Sequence, residues 1–276
     1  MVWSVARCSR ERGYSQGRVL RMPRKLIDIH CHCLPDCDDG PRSMGQALML
    51  CDSLARNGIG TVIATPHQLG RFENRTDAAA IRKATGQLNR RLAEEEIGLR
   101  VLPGAEVRLD ERVGSLLHRD VILTLADAHR HVLLELPDDA FIDIEPLVVQ
   151  LARQDISLII AHPERNLPLF RHLRLLRRWL DRGVALQVTA ASLLGHWGRM
   201  MKRGAWELLE RGWVAVVASD AHDCGDRAPH MAEVSQVVAE ELGNEAADLL
   251  CIENPLRVLR GEELVPALPV SRQEVW

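Results

Sequence analysis

Seven short apolar runs recur along the chain, at 26–32, 61–67, 100–108, 131–137, 157–162, 185–189 and 214–219. The segments between them have helical composition over 43–57, 76–95, 143–154, 171–181 and 200–211, and a further such stretch follows at 229–242. Parallel strands need a crossover of this size, because the chain must return before the next strand can start in the same direction. Gly58, Gly98, Gly183 and Gly212 stand where spacers give way to the next run, as helix terminators do. Seven units suit a closed or nearly closed barrel better than a small open sheet. A doubly wound sheet shares the same crossovers and is the alternative, since spacing does not reveal closure. At 276 residues, one α/β domain of this kind accommodates the whole body.

The ends of the runs are polar in a way their middles are not. His30 and His32 close the first run, His67 the second, Glu106 lies near the end of the third, Glu135 closes the fourth and His162 the fifth. Asp220 and His222 follow the seventh. In a parallel barrel all strand ends meet at one mouth, so these residues converge. One histidine or carboxylate at a strand end is usually a satisfied structural group. Six strand ends carrying one are better explained by a metal site.

Local geometry supports this. His30 and His32 are two apart and share a strand face, whereas the alternating Cys31 and Cys33 point the other way. Asp28 has the histidines' parity and either ligates, orients a histidine or lies deeper in the barrel. The acidic turn 36–40 can return a carboxylate to the site, from Asp38 or Asp39. Glu106 and Glu135 are costly to bury uncompensated, and cations are the simplest compensation. Asp39, His67, Glu106, Glu135, His162, Asp220 and His222 with the first histidine pair make nine candidate ligands. One zinc ion needs fewer; two or three divalent ions fit. Mixed imidazole and carboxylate donors suit manganese, iron or zinc better than magnesium.

Composition removes other classes. A net charge of −3 and 4% aromatic residues leave little for nucleic-acid binding. No apolar run approaches the roughly 18 residues of a membrane span. Seven cysteines, an odd number, suggest reduced thiols in the cytoplasm. The arginine-rich first 25 residues lack the apolar segment of a signal peptide and read as a basic, flexible extension, with Met22 as another plausible start.

The order of motifs resembles the polymerase and histidinol phosphatase superfamily, and within it the bacterial capsule-associated protein-tyrosine phosphatases. The resemblance is carried by Ile27-Asp28-Ile29-His30-Cys31-His32, Asp38-Asp39-Gly40, Ala64-Thr65-Pro66-His67, Leu102-Pro103-Gly104-Ala105-Glu106, Ala161-His162-Pro163-Glu164-Arg165-Asn166 and Ala218-Ser219-Asp220-Ala221-His222. It spans about residues 26–260 and implies a distorted seven-stranded barrel; the chain is read as a single catalytic body over 26–264, with 1–25 as extension and 265–276 as tail. It also implies a trinuclear centre, manganese first among the candidate metals. His30, His32, Glu106 and Asp220 would form the first ion's set, Glu106, Glu135 and His162 the second, and Asp39, His67 and His222 the third. The resemblance favours Asp39 over Asp38, and it gives Arg165 and Arg227 the phosphate. Gln68, where relatives often carry histidine, and the region 68–75 depart from the pattern and bear on specificity.

The expected activity is phosphomonoester hydrolysis by metal-activated water, on a phosphotyrosine protein. The resemblance points to the tyrosine-rich tail of a bacterial tyrosine kinase and to exopolysaccharide production. No cysteine opens a phosphate-cradling loop that ends in arginine, and the parity of Cys31 turns it from the site, so a cysteine nucleophile is not expected. The alternatives are a small-metabolite phosphatase of the histidinol-phosphatase type and a non-catalytic metal-binding regulatory protein. Nothing in the chain assigns an oligomeric state.

Overall fold

The computed structural model describes residues 24–266. Most of the basic extension, and all but the first two residues of the 265–276 tail, therefore lie outside the described residues. Within them the chain alternates strand and helix, and every strand pairing is parallel. The strands are β1 (Leu26–Cys31), β2 (Ile59–Ala64), β3 (His67–Gln68), β4 (Arg100–Pro103), β5 (Glu106–Arg108), β6 (His131–Glu135), β7 (Ser157–Ala161), β8 (Ala185–Thr189) and β9 (Val214–Ala218).

The seven expected runs are thus nine strands among the described residues, arranged as two sheets ordered β1-β2-β4 and β3-β5-β6-β7-β8-β9. Two runs are broken in the middle, and each break has a cause. Pro66 brings no amide hydrogen to the ladder between β2 and β3. Between β4 and β5 stands Gly104, where a Cβ would lie 2.6 Å from Cγ2 of Ile63. Each broken run starts in the smaller sheet and ends in the larger one. Among the described residues the ladders form no closed barrel. The end of β1 nevertheless meets the chain after β9, through a parallel bridge between Cys31 and Ala221 and the bonds His32 N to Ala221 O and Asp220 N to His30 O, both 2.8 Å.

The six expected spacers are helices: α1 (Met44–Arg56), α2 (Ala78–Glu94), then, after the short α3 (Val113–His118), α4 (Glu145–Ala152) and α5 (Leu173–Asp181). The short α6 (Ala190–Leu194) precedes α7 (Arg199–Glu210) and α8 (Met231–Leu242). Side chains cap the first two: Ser43 accepts from Gln46 N at 3.3 Å and Asp77 from Ala80 N at 2.8 Å. Helical structure missed by composition continues through α9 (Asn244–Asp248), a π-helical turn at Leu249–Glu253 and α10 (Asn254–Arg260).

Apolar residues fall into two clusters. The larger holds Cys31, Cys33 and Cys51 together with Leu50, Ile81, Val107 and Trp179, where helices cover the sheets. A smaller one joins Ile29, Ile63, Leu133, Ile159 and Ala218 from five strands of both sheets. Polar side chains are collected at the C-terminal ends of the strands, and these define the site.

Candidate metal centre

A bulge sets the first histidines. Asp28 pairs with Val62 and Cys31 with Ala64, so β1 spends three steps where β2 spends two. The extra residue lets Ile29 face the inner apolar cluster while His30, next in the chain, faces the polar centre. Asp28 stays behind the centre. Its carboxylate accepts from Ser219 N at 3.0 Å, Ser219 Oγ at 2.5 Å and His30 N at 3.2 Å, so it tethers the backbone and joins no group of converging donors. Burial raises its pKa to about 6 despite those hydrogen bonds.

Glu106, fully buried on β5, is the hub. Its Oε2 lies 3.4 Å from Nε2 of both His30 and His32 and 3.0 Å from His67 Nδ1. Its Oε1 lies 2.8 Å from His162 Nε2. Asp220 Oδ1 stands 3.4 Å from His30 Nε2 and 3.5 Å from His32 Nε2. Farther out, Asp39 Oδ1 is 3.5 Å from His67 Nε2 and 3.3 Å from His222 Nε2. Glu135 Oε2 is 3.9 Å from His67 Nδ1, while its Oε1 takes an ion pair from Arg108 at 2.9 Å.

All nine candidate ligands fall into four overlapping groups whose donor atoms lie within 4.8 Å of one another. These are His30, His32 and Asp220; His30, Glu106 and His162; His67, Glu106 and Glu135; and His32, Asp39, His67 and His222. The grouping differs from the expected sets in detail. Glu135 keeps company with His67, not His162, and His32 reaches the outer group as well.

Three histidines have one nitrogen tied back, which frees the other for the centre. His30 Nδ1 donates to Gln187 Oε1 at 2.8 Å, His32 Nδ1 to Asp38 Oδ2 at 2.5 Å and His222 Nδ1 to the Asp220 carbonyl at 3.0 Å. Each Nε2 then turns inward, and those of His30 and His32 lie 3.3 Å apart. Glu106 Oε2 and His222 Nε2 are buried without a hydrogen-bond partner. Facing lone pairs and orphaned acceptors at one spot fit cations.

Asp38 is therefore a support for His32. It also accepts from His67 N and Gly40 N, both at 3.0 Å, and so shapes the 36–40 turn. Gly40 is required there because a Cβ would lie 2.3 Å from the His32 carbonyl oxygen. Gln187 belongs to no strand-end motif. Its only sequence signal is one polar residue inside the apolar β8. His162 and Asp220 adopt left-handed backbone, φ 31° and 54°, uncommon for non-glycine residues and typical of sites where the surroundings hold strain.

Electrostatics follow from this crowding. Burial alone would raise the carboxyl of Glu106, but the charges of His30 and His67 and the His162 hydrogen bond take it well below its usual range. Asp220 is likewise low: burial is outweighed by Arg165, His30, His222 and Arg227. His222 falls to about 4 through burial and the neighbouring His32. His32 is raised well above the free value, burial being outweighed by Asp38.

Both arginines singled out in the sequence reach this cluster. Arg165 Nη2 is 2.6 Å from Asp220 Oδ2. Arg227 Nη2 is 3.3 Å from both Asp220 oxygens, and its Nη1 is 3.6 Å from Asp39 Oδ2. Cys31 points away and donates to the Ala221 carbonyl at 3.4 Å.

Residues 26–260 match the family described as "Capsular polysaccharide synthesis, CpsB/CapC". The tyrosine-protein phosphatase YwqE of Bacillus subtilis is 37% identical over 255 residues, 91% of this chain and 99% of that protein. The tyrosine-protein phosphatase CpsB of Streptococcus pneumoniae is 30% identical over 241 residues, 85% of this chain and 98% of its own. A crystal structure from work on those two proteins, described as unique metal-dependent tyrosine phosphatases, superposes with a TM-score of 0.82 at 38% identity, covering 89% of this chain and 100% of the other. A phosphotriesterase homology protein of Escherichia coli, at 12% identity and a TM-score of 0.55, shares the fold alone.

Proposed function

The chain belongs to the CpsB/CapC family, and from that premise we propose that it is a metal-dependent protein-tyrosine phosphatase. The observation that carries this reading is Glu106: a buried carboxylate whose two oxygens face His30, His32, His67 and His162, beneath a mouth bearing Arg165 and Arg227. That donor set suits two or three divalent ions, manganese first, with iron and zinc as the other candidates. His30, His32, Glu106 and Asp220 would hold one ion, Glu106, Glu135 and His162 a second, and Asp39, His67 and His222 a third. Such ions supply Lewis acidity, offsetting phosphate charge and making water acidic enough to act as nucleophile near neutral pH.

The chain's own groups do the rest. Arg165 and Arg227 present positively charged planar forks to the phosphate oxygens. Asp38 and Gln187 hold the Nδ1 protons of His32 and His30, which keeps each Nε2 available. Residues 26–264 act as one catalytic body, its two sheets working as a distorted seven-stranded barrel. The substrate is a phosphotyrosine protein in the cytoplasm, the tyrosine-rich tail of a bacterial kinase that governs exopolysaccharide production.

The test is a panel of phosphotyrosine peptides, phosphoserine peptides and small phosphomonoesters, including a phosphorylated amino alcohol, assayed with manganese, iron and zinc. Phosphotyrosine peptides should give the highest kcat/KM. A preference for the amino-alcohol phosphate would replace this reading with that of a metabolite phosphatase.

A further inference from the structure

Arg165 is held on two sides. Its Nη2 meets Asp220 at 2.6 Å, and its guanidinium carbon lies 5.4 Å from the ring centroid of Trp197. Trp197 stands in the turn between α6 and α7, in a run 196–200 that is exposed throughout. That turn is anchored from below, where Trp206 Nε1 donates to the Leu193 carbonyl at 3.0 Å.

Phe72 is another aromatic ring near the centre, and its surroundings differ. It stacks on His67, with centroids 5.0 Å apart and planes 4° from parallel, and carries the Arg71 guanidinium at 4.7 Å. Trp197 carries Arg165 and stays 42% exposed. Leu167, two residues beyond Arg165, is 41% exposed, and Met200, three beyond Trp197, is 62% exposed. Three of the eight large hydrophobic residues exposed among the described residues therefore belong to the segments that carry Arg165 and Trp197. Trp197 thus offers an exposed aromatic face beside the Arg165 guanidinium.

We infer that Trp197 is the platform for the aryl ring of the substrate and sets a preference for aryl over alkyl phosphate monoesters. The inference rests on the phosphomonoesterase reading above. In an aryl phosphate the ring is bonded directly to the ester oxygen. With the phosphate on Arg165, whose guanidinium carbon lies 5.4 Å from the indole centroid, that ring can come within the 4.5–7 Å at which aromatic pairs meet. A serine phosphate has no flat face to offer. The cation–π contact with Arg165 keeps the indole beside the phosphate.

The experiment uses the full metal-loaded chain and the variants W197A and W197F. It compares kcat/KM for phosphotyrosine and phosphoserine, and calorimetric binding of phenylphosphonate and ethylphosphonate, which are not hydrolysed. W197A should lower the aryl-to-alkyl ratio in both measurements by roughly tenfold, the scale of one lost aromatic pair. W197F should keep most of the ratio. Equal losses on both classes would mean that Trp197 only positions Arg165, and that outcome, like an unchanged ratio, overturns the platform. If the wild-type chain fails to turn over phosphotyrosine but binds phenylphosphonate preferentially through Trp197, the tyrosine phosphatase reading falls and the platform stands.

Discussion

Asp38 Oδ2 lies 2.5 Å from Nδ1 of His32, and this contact separates the roles of two neighbouring aspartates. Asp38 holds a histidine, whereas Asp39 faces His67 and His222 directly. Replacing Asp38 with asparagine keeps an oxygen for the Nδ1 proton but removes the charge. Metal affinity should fall about 10- to 100-fold, as for other partners behind ligating histidines. Calorimetric titration with manganese checks this; unchanged affinity would mean that packing alone orients His32.

Glu106→Gln should cost metal and turnover together, because two overlapping donor groups share this carboxylate. Elemental analysis of the purified variant should find fewer ions per chain than in the wild type. Full loading with full activity would remove Glu106 from the bridging role.

The arginines should separate substrate handling from metal content. Arg165→Ala and Arg227→Ala should each retain bound metal and lose about 100-fold in kcat/KM, the scale of one lost charge-stabilising donor. Arg165→Lys should rescue only part of that loss, since a point charge replaces a planar fork. A fall in kcat would assign the contact to the transition state, and a rise in KM alone would assign it to ground-state binding.

Chelation should abolish turnover and divalent ions should restore it, while Cys31→Ser keeps most of it. Cys31 is fully buried and donates to a carbonyl, turned from the centre. A phosphorylated cysteine found by mass spectrometry would overturn the metal mechanism.

Stability should carry a histidine signature at the opposite end of the strands. His131, at the start of β6, donates from Nε2 to the Glu262 carbonyl at 2.9 Å, and its Nδ1 is buried without a partner. Burial lowers its pKa below the ordinary 6.5, only partly offset by that hydrogen bond, with Arg130 adding to the fall. The unfolded chain therefore binds the proton first. The stability from neutral His131 is present above pH 6.5 and is lost as pH falls through the depressed value. Thermal melts should show a smaller drop in Tm between neutral and mildly acidic pH for His131→Gln; equal drops would exclude this group.

The strand–spacer alternation, the parity that separates His30 and His32 from Cys31 and Cys33, and the polar residues at strand ends were all legible in the chain itself. They depend on a period of two and on spacings of a few residues, which local geometry controls. Breaks at Pro66 and Gly104, by contrast, become sheet boundaries only when β4 and β5 lie against β2 and β3. Asp28 matched the histidines in parity, yet the β1 bulge puts it on Ser219, a residue 191 positions away. Gln187 meets His30 across 157 positions, a separation no motif encodes. Residue types and local spacing determined which side chains could bind metal. Tertiary packing decided which of them face the centre and which hold the others in place, because that division depends on contacts between strands far apart in the chain.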